Sequence, residues 1–352
     1  MTKIRITASR DYDVAIGEGL LDRAGELVKE VIGPCTAAVV SDDTVFSLYG
    51  ERVLCSLEKA GFQTLSVVFP HGEQNKTLAT YGTVVNALCD NHLTRGDAVI
   101  ALGGGVVGDL AGFAAATYQR GIALVQIPTT LLAMVDSSVG GKTAVDLDAG
   151  KNQAGCFYQP SLVLCDPEAL STLPEEEYRC GCAEVLKYGV LGNEPFFKEL
   201  ETRHVRGQTA HVIETCVKMK RDIVADDEFD RGQRRLLNLG HSIGHAIEAC
   251  SDFSVLHGEA VAAGMAIIAR AAAAKGYCAA GVPKRIEKAL AAYGLPTGTD
   301  YPLEALTAAA GTDKKLVGKT MHLVVPYAVG DCRVISIDAA DMRGWMRAGG
   351  VK

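Results

Sequence analysis

The sequence predicts an α/β nucleotide-binding domain built on a parallel sheet, followed by a mostly α-helical domain. Three observations carry this. Short, near-continuous apolar runs alternate with helical patterns in the first half, as expected of strands in a sheet covered on both faces. From about Pro174 the pattern changes to long helices. Between them a glycine-rich turn, Gly103-Gly-Gly105-Val-Val-Gly108-Asp109, joins a strand to a helix. At 352 residues the chain exceeds the usual size of a single core, so two domains are expected.

Taken in order, strands are expected at 37–41, 64–69, 97–102, 122–127 and 161–165, separated by helical patterns. Residues 133–158 bear Gly and Lys without clear periodicity. They read as a long irregular segment, a kind that is usually functional. Helices are expected at 175–188, 211–225, 235–249, 259–275 and 284–292, with two short strands at 321–326 and 333–337. The boundary falls between Asp166 and Pro174, giving domains 1–170 and 171–352.

Composition narrows the function. The chain is 48% hydrophobic and 22% charged, as in ordinary globular proteins. It has no run of eighteen apolar residues, and Met1-Thr-Lys-Ile-Arg-Ile begins no signal peptide. A cytoplasmic protein with no membrane role is expected. The eleven Cys are odd in number and scattered through apolar segments, as buried thiols of a reducing compartment would be. Cys180-Gly-Cys182 is too closely spaced for a zinc knuckle and has no partner pair. A net charge of −7 argues against nucleic acid. An anionic ligand must therefore meet a local basic cluster.

The densest chemistry lies in Asn238-Leu-Gly-His241-Ser-Ile-Gly-His245-Ala-Ile-Glu248 and Leu256-His257-Gly-Glu259, which hold three of the eight His within seventeen residues. His241 and His245 are spaced i, i+4 and share one helix face. His257 follows a break at Ser251-Asp-Phe-Ser254 and starts from a second helix. Capping or core roles would explain a lone His, but three beside glycines point to a divalent-metal site. Spacing alone leaves open whether His245 or His257 completes it. Glu184 and Lys187, i, i+3 in an apolar segment, suggest a buried carboxylate that needs a metal or a cation.

The glycine turn contains G-x-G-x-x-G in strand–turn–helix context, where backbone amides approach a pyrophosphate at a helix N-terminus. A tight turn that only packs a helix on a strand would look similar. No acid ends the next strand, so Asp42, Asp43 and Glu73 are the candidates for ribose contacts. Downstream, Asp136-Ser-Ser-Val-Gly-Gly141-Lys142-Thr143 is not a P-loop, because Asp136 stands where the first glycine belongs and no strand leads in. Lys142, Lys151 and Asn152 on this glycine-rich stretch suit phosphate or carboxylate groups.

Together, Gly103–Asp109, Arg120-Gly121, Pro128-Thr-Thr-Leu131, Val135 to Lys142, Gly150-Lys-Asn152, Ala183 to Gly189, the histidine motifs and His257-Gly-Glu259 resemble the 3-dehydroquinate synthase family. Further matching segments run in order from His71-Gly-Glu-Gln-Asn-Lys76 to Asp313-Lys-Lys315. The resemblance implies an N-terminal nucleotide domain, a helical C-terminal domain and an active site in the cleft between them. It implies zinc on Glu184, His241 and His257, a catalytic rather than structural ligand set that cobalt also suits. The implied NAD-binding positions are Asp42, Glu73, Lys76, Gly104, Gly105, Val106, Val107, Gly108, Asp109, Thr129, Thr130, Asp136, Lys142, Lys151 and Thr172. Around the substrate it implies Arg120, Lys142, Asn152, Lys187, Lys220, Arg234, Asn238, His245 and one Lys of Lys314-Lys315, with Lys315 taken.

The implied substrate is an anionic sugar phosphate, 3-deoxy-arabino-heptulosonate 7-phosphate, converted to 3-dehydroquinate and phosphate. The steps are transient oxidation by NAD, phosphate β-elimination, re-reduction, ring opening and intramolecular aldol closure. A homodimer is implied as well. Metal-dependent alcohol or glycerol dehydrogenases share the architecture but leave Lys142, Lys151, Lys187 and Arg234 without a role. A sugar-phosphate cyclase acting on a substrate without a carboxylate leaves Arg234, Asn238 and the Lys pair unexplained. A nucleotide-binding structural protein leaves the His cluster unexplained.

Overall fold

The computed structural model of the chain describes residues 1–310 and 320–352. Lys314 and Lys315 lie outside the described residues. Two compact units are present, Met1–Leu173 with Ala210–Phe229, and Pro174–Thr209 with Asp230–Lys352. A single linear cut does not describe this division, because residues 210–229 return to the first unit.

The strands are β1 Thr2–Ile6, β2 Tyr12–Ile16, β3 Thr36–Asp42, β4 Gln63–Phe69, β5 Ala98–Gly103, β6 Ala123–Pro128, β7 Lys142–Leu147, β8 Gly150–Phe157, β9 Leu162–Cys165, β10 Thr320–Ala328 and β11 Asp331–Asp338. The helices run α1 Ala24–Ile32, α2 Asp43–Val45, α3 Glu51–Lys59, α4 Leu78–Asp90, α5 Gly105–Thr117, α6 Glu175–Gly192 and α7 Glu194–Thr202. They continue with α8 Thr209–Asp226, α9 His241–Cys250, α10 His257–Ala274, α11 Gly281–Ala292, α12 Leu303–Ala310 and α13 Met342–Ala348.

The first unit holds a seven-stranded sheet in the order β1-β2-β9-β6-β5-β3-β4. β1 pairs antiparallel with β2, and every other neighbouring pair is parallel. Every residue of β5 is buried, which its unbroken apolar run requires. Sequence order reverses direction between β3 and β5, so their carboxyl ends form a topological switch point, where α/β sheets bind ligands. Asp42 ends β3 there and Gly103 ends β5.

Residues 133–158, expected to be irregular, are instead ordered. Ala133–Ser137 forms a π-helical turn and β7 pairs with β8 as an antiparallel hairpin. The alternation was hidden because β8 is mostly exposed or half-exposed and carries polar residues on both faces.

The second unit packs α6 and α10 centrally, and both are buried on nearly every face. The helix expected at 235–249 is broken. Gln233–Asn238 is a 3-10 turn, and Gly240 adopts a left-handed φ of 79° before α9 begins at His241. A Cβ at Gly240 would lie 2.6 Å from the Val261 carbonyl oxygen, so only glycine allows α9 to start this close to α10.

Candidate active site

In the first unit, the turn from β5 into α5 builds an anion cradle. Gly108 N donates to Gly104 O at 3.0 Å, which leaves the amides of the first α5 turn, Gly105 to Val107, unused by the helix. A Cβ on Gly104 would lie 3.0 Å from Thr130 Cγ2, and one on Gly108 would lie 2.9 Å from Gln126 Oε1. The first glycine thus keeps the turn against Thr130, and the second lets helix and strand approach. Thr129 N donates to Gly103 O at 3.0 Å. Its buried Oγ1 has no hydrogen-bond partner among the described residues, a polar atom that a bound ligand would satisfy.

Asp109 and Lys76 form a buried pair, with Nζ donating to Oδ2 at 2.6 Å and to Asn152 Oδ1 at 2.5 Å. Burial disfavours the ammonium, but Asp109 and Glu73 more than offset it, so Lys76 stays charged above its usual range. Lys151 pairs with Glu73 at 3.4 Å. Lys220, on α8, donates to both Asp136 O (2.6 Å) and Asp136 Oδ1 (2.5 Å) on the π-helical turn, a backbone form common at functional sites. Asp42 accepts from Val45 N at 2.8 Å, and burial raises its pKa. Asp43 instead pairs with exposed His71 at 2.8 Å. Thr172 shares a 2.6 Å hydrogen bond with Tyr49 on the segment that follows α2. Lys142 is exposed at the start of β7, after Gly140 and Gly141, whose φ values are 92° and 69°.

Arg120 is not brought to the glycine turn. It follows the far end of α5, a 13-residue helix about 20 Å long, in a left-handed conformation with φ 66°.

In the second unit, α6, α9 and α10 each supply one donor to a cluster. Glu184 is fully buried, and its Oε1 lies 3.6 Å from His241 Nε2 and 3.3 Å from His257 Nε2. The ligand atoms of Glu184, His241 and His257 all lie within 4.8 Å of one another. Both imidazoles are backed on their other nitrogen. His241 Nδ1 donates to Leu239 O at 3.1 Å, and His257 Nδ1 lies 3.4 Å from Glu248 Oε2. A carbonyl only accepts, so His241 carries a proton on Nδ1, and its Nε2 is the nitrogen left to offer a lone pair to a metal beside Glu184. Two imidazole nitrogens and a carboxylate oxygen converging on one point suit a cation between them. The donor set therefore fits a divalent metal held by two His and one carboxylate. Burial opposes charge on His257, but Glu184 and Glu248 outweigh it and raise its pKa to about 10.

Lys187, buried on the next turn of α6, forms an ion pair with Glu184 Oε2 at 2.5 Å. Arg234, 1% exposed, and Asn238 lie on the 3-10 turn that leads into α9. The His245 ring centroid is 5.5 Å from that of His241 and 6.1 Å from that of His257. His245 groups with Glu248 and His257 rather than with Glu184. Sequence reasoning quoted Glu248 without giving it a role. Its spacing of i+3 from His245, on a face otherwise apolar, was the available signal. The Leu239 carbonyl had none.

The first turn of α10 lies directly against α6. A Cβ on Gly258 would sit 2.3 Å from Cys180 Cα and 2.4 Å from Cys180 O, backbone atoms that cannot swing aside. Gly258→Ala should therefore separate α10 from α6 and carry His257 away from Glu184. Chemical denaturation should show a loss of about 1–3 kcal/mol, with weaker zinc retention on dialysis. Wild-type stability and zinc retention together would contradict this packing.

A glycine-turn α/β unit and a helical unit with a two-histidine, one-carboxylate cluster define a class: nucleotide-dependent enzymes with a catalytic-type metal site. Residues 66–180 match the 3-dehydroquinate synthase N-terminal model, and residues 181–316 match its C-terminal model. The chain belongs to the 3-dehydroquinate synthase family. It is 46% identical to the 3-dehydroquinate synthase of Caulobacter vibrioides over 96% of this chain and 95% of that protein. With the Streptococcus suis 3-dehydroquinate synthase the identity is 44%, over 94% and 95% respectively. Among solved structures, 2-epi-5-epi-valiolone synthase from Streptomyces hygroscopicus, with NAD+ and Zn2+ bound, superposes at a TM-score of 0.89, with 27% identity and 99% coverage of each chain. A 2-deoxy-scyllo-inosose synthase complexed with carbaglucose-6-phosphate, NAD+ and Co2+ gives 0.88 at 26% identity, covering 98% of this chain and 99% of the other. A Schizosaccharomyces pombe glycerol dehydrogenase shares the fold at 0.65, with 18% identity and coverage of 99% and 91%. No described helix is long and apolar enough to cross a membrane.

Proposed function

We propose that the chain converts 3-deoxy-arabino-heptulosonate 7-phosphate to 3-dehydroquinate and phosphate, using bound NAD and a zinc or cobalt ion. The observation that carries this reading is the pairing of a Glu184–His241–His257 ligand set with a buried cation, Lys187, at its edge. Bound NAD would supply a reversible hydride acceptor for the C5 hydroxyl, and the metal a Lewis acid toward its oxygen.

The residues divide the remaining work. The α5 N-terminus and Thr129 bind the nucleotide pyrophosphate, while Lys76 and Asp109 hold each other and Asn152 beside it. Asp42, ending the strand beside the glycine turn, takes the ribose. Lys187 orients substrate oxygens next to the metal position. Arg234, whose planar fork suits a carboxylate, holds the substrate carboxylate with Asn238. Lys142, Lys220 and Asn152 hold the phosphate, and its own oxygen serves as base for its elimination. His245 moves protons to and from the hydroxyl being oxidised. Held this way, each intermediate stays in reacting geometry until the aldol closes. The protein is cytoplasmic and acts as a homodimer in this reading.

A cyclase acting on a sugar phosphate without a carboxylate is the second reading, favoured by the structural likeness to 2-deoxy-scyllo-inosose synthase. The two separate by substrate. The heptulosonate phosphate should release phosphate at least 100-fold faster than glucose 6-phosphate, since the poorer substrate lacks the carboxylate that Arg234 would hold, a charge-assisted contact worth about 3 kcal/mol. Faster release from glucose 6-phosphate would replace the first reading with the second.

A further inference from the structure

We propose that Glu248 is the positioning residue of the metal site, fixing the tautomer and ring plane of His257. The inference rests on the metal reading above. Glu248 lies in the last turn of α9 and is 1% exposed, a placement that costs a carboxylate dearly unless it is hydrogen-bonded or paired. Its Oε2 lies 3.4 Å from His257 Nδ1, on the side of the ring opposite Glu184. A carboxylate that accepts from Nδ1–H leaves the Nε2 lone pair for the metal.

The backbone is bent to make this contact. Asp252 and Phe253, between α9 and α10, both have left-handed φ values, 50° and 60°. A bulky aromatic in that region is an outlier held only where its surroundings determine it. Here the surroundings belong to Glu248. Its carbonyl accepts from Phe253 N at 2.9 Å and from Ser251 Oγ at 2.8 Å, and Ser251 Oγ in turn accepts from Val255 N at 3.1 Å. The same residue thus folds the turn with its main chain and meets the returning His257 with its side chain.

The two histidines are backed unequally. His241 rests on the neutral Leu239 carbonyl, and His257 on an anion. A carboxylate behind an imidazole raises its basicity as a ligand, so His257 should be the stronger donor of the pair.

The test uses the full chain carrying Glu248→Ala or Glu248→Gln, with zinc affinity measured by competition with a chromophoric chelator. Glu248→Ala should weaken zinc binding by about 10- to 100-fold. Glu248→Gln still accepts from Nδ1–H and should recover most of that loss, but its cobalt-loaded form should show a shifted visible spectrum because the charge is gone. A packing role would leave the cobalt spectrum of the Gln variant unchanged, and that result overturns the proposal. So does zinc affinity within about twofold of wild type in a folded Glu248→Ala chain. His245, Glu248 and His257 also offer ligand atoms within 4.8 Å of one another. Wild-type uptake of two zinc ions, one of them lost in Glu248→Ala, would make Glu248 a ligand instead. A wild-type chain that takes up no zinc would overturn the metal reading itself, and this inference with it.

Discussion

His257→Ala should leave a folded chain that no longer retains its metal. His257 is the first residue of α10, and the rest of that helix is anchored by buried Ala, Val, Met and Ile side chains. Losing one imidazole at the helix start removes few of those contacts. The cluster, by contrast, drops to one imidazole and one carboxylate, with Lys187 already beside the carboxylate. Metal content by elemental analysis should fall to background and the circular dichroism should stay unchanged. Turnover should drop about 10³-fold or more, since the metal stabilises developing charge by several kcal/mol. Normal metal content in this variant would remove His257 from the ligand set.

Lys187→Met should produce the second large effect, and it divides by state. Without metal, Glu184 loses its buried counter-ion, and breaking such a pair costs about 3–5 kcal/mol. With zinc bound, the ion neutralises the same carboxylate, so most of that loss should return on zinc addition. Turnover of the zinc-loaded variant should fall about 10²- to 10³-fold. NAD affinity should not change, because Lys187 is not among the groups assigned to the nucleotide. Thermal melts with and without zinc, together with NAD titration and turnover, separate these effects. Unchanged turnover would reduce Lys187 to a structural ion pair.

The fold was legible where one physical signal dominated. The buried strands β3, β5, β6 and β9 announce themselves as unbroken apolar runs, and α6 and α10 as long patterns without proline. The hairpin of β7 and β8 did not, because its exposed faces carry no alternation. The break before α9 was missed because Gly240 reads as a tolerated helix glycine until α10 is seen against it.

The site was legible in residue type more than in arrangement. Spacing found three His but could not choose between His245 and His257. That choice depends on how α10 folds back, which is set by the left-handed turn at Asp252 and Phe253. The basic residues were recognisable, yet the partners of Lys76, Lys151 and Lys220 come from segments 33, 78 and 84 positions away. No local pattern encodes such contacts.

The central claim is that NAD and the metal serve one internal redox cycle ending in phosphate loss. The direct measurement is phosphate release from the heptulosonate phosphate by chelator-treated enzyme, with NAD and zinc restored singly and together. Release that requires both additions and leaves no net NADH is the expected result. NADH accumulating with a polyol, without phosphate release from the sugar phosphate, would contradict the account and make the chain a dehydrogenase.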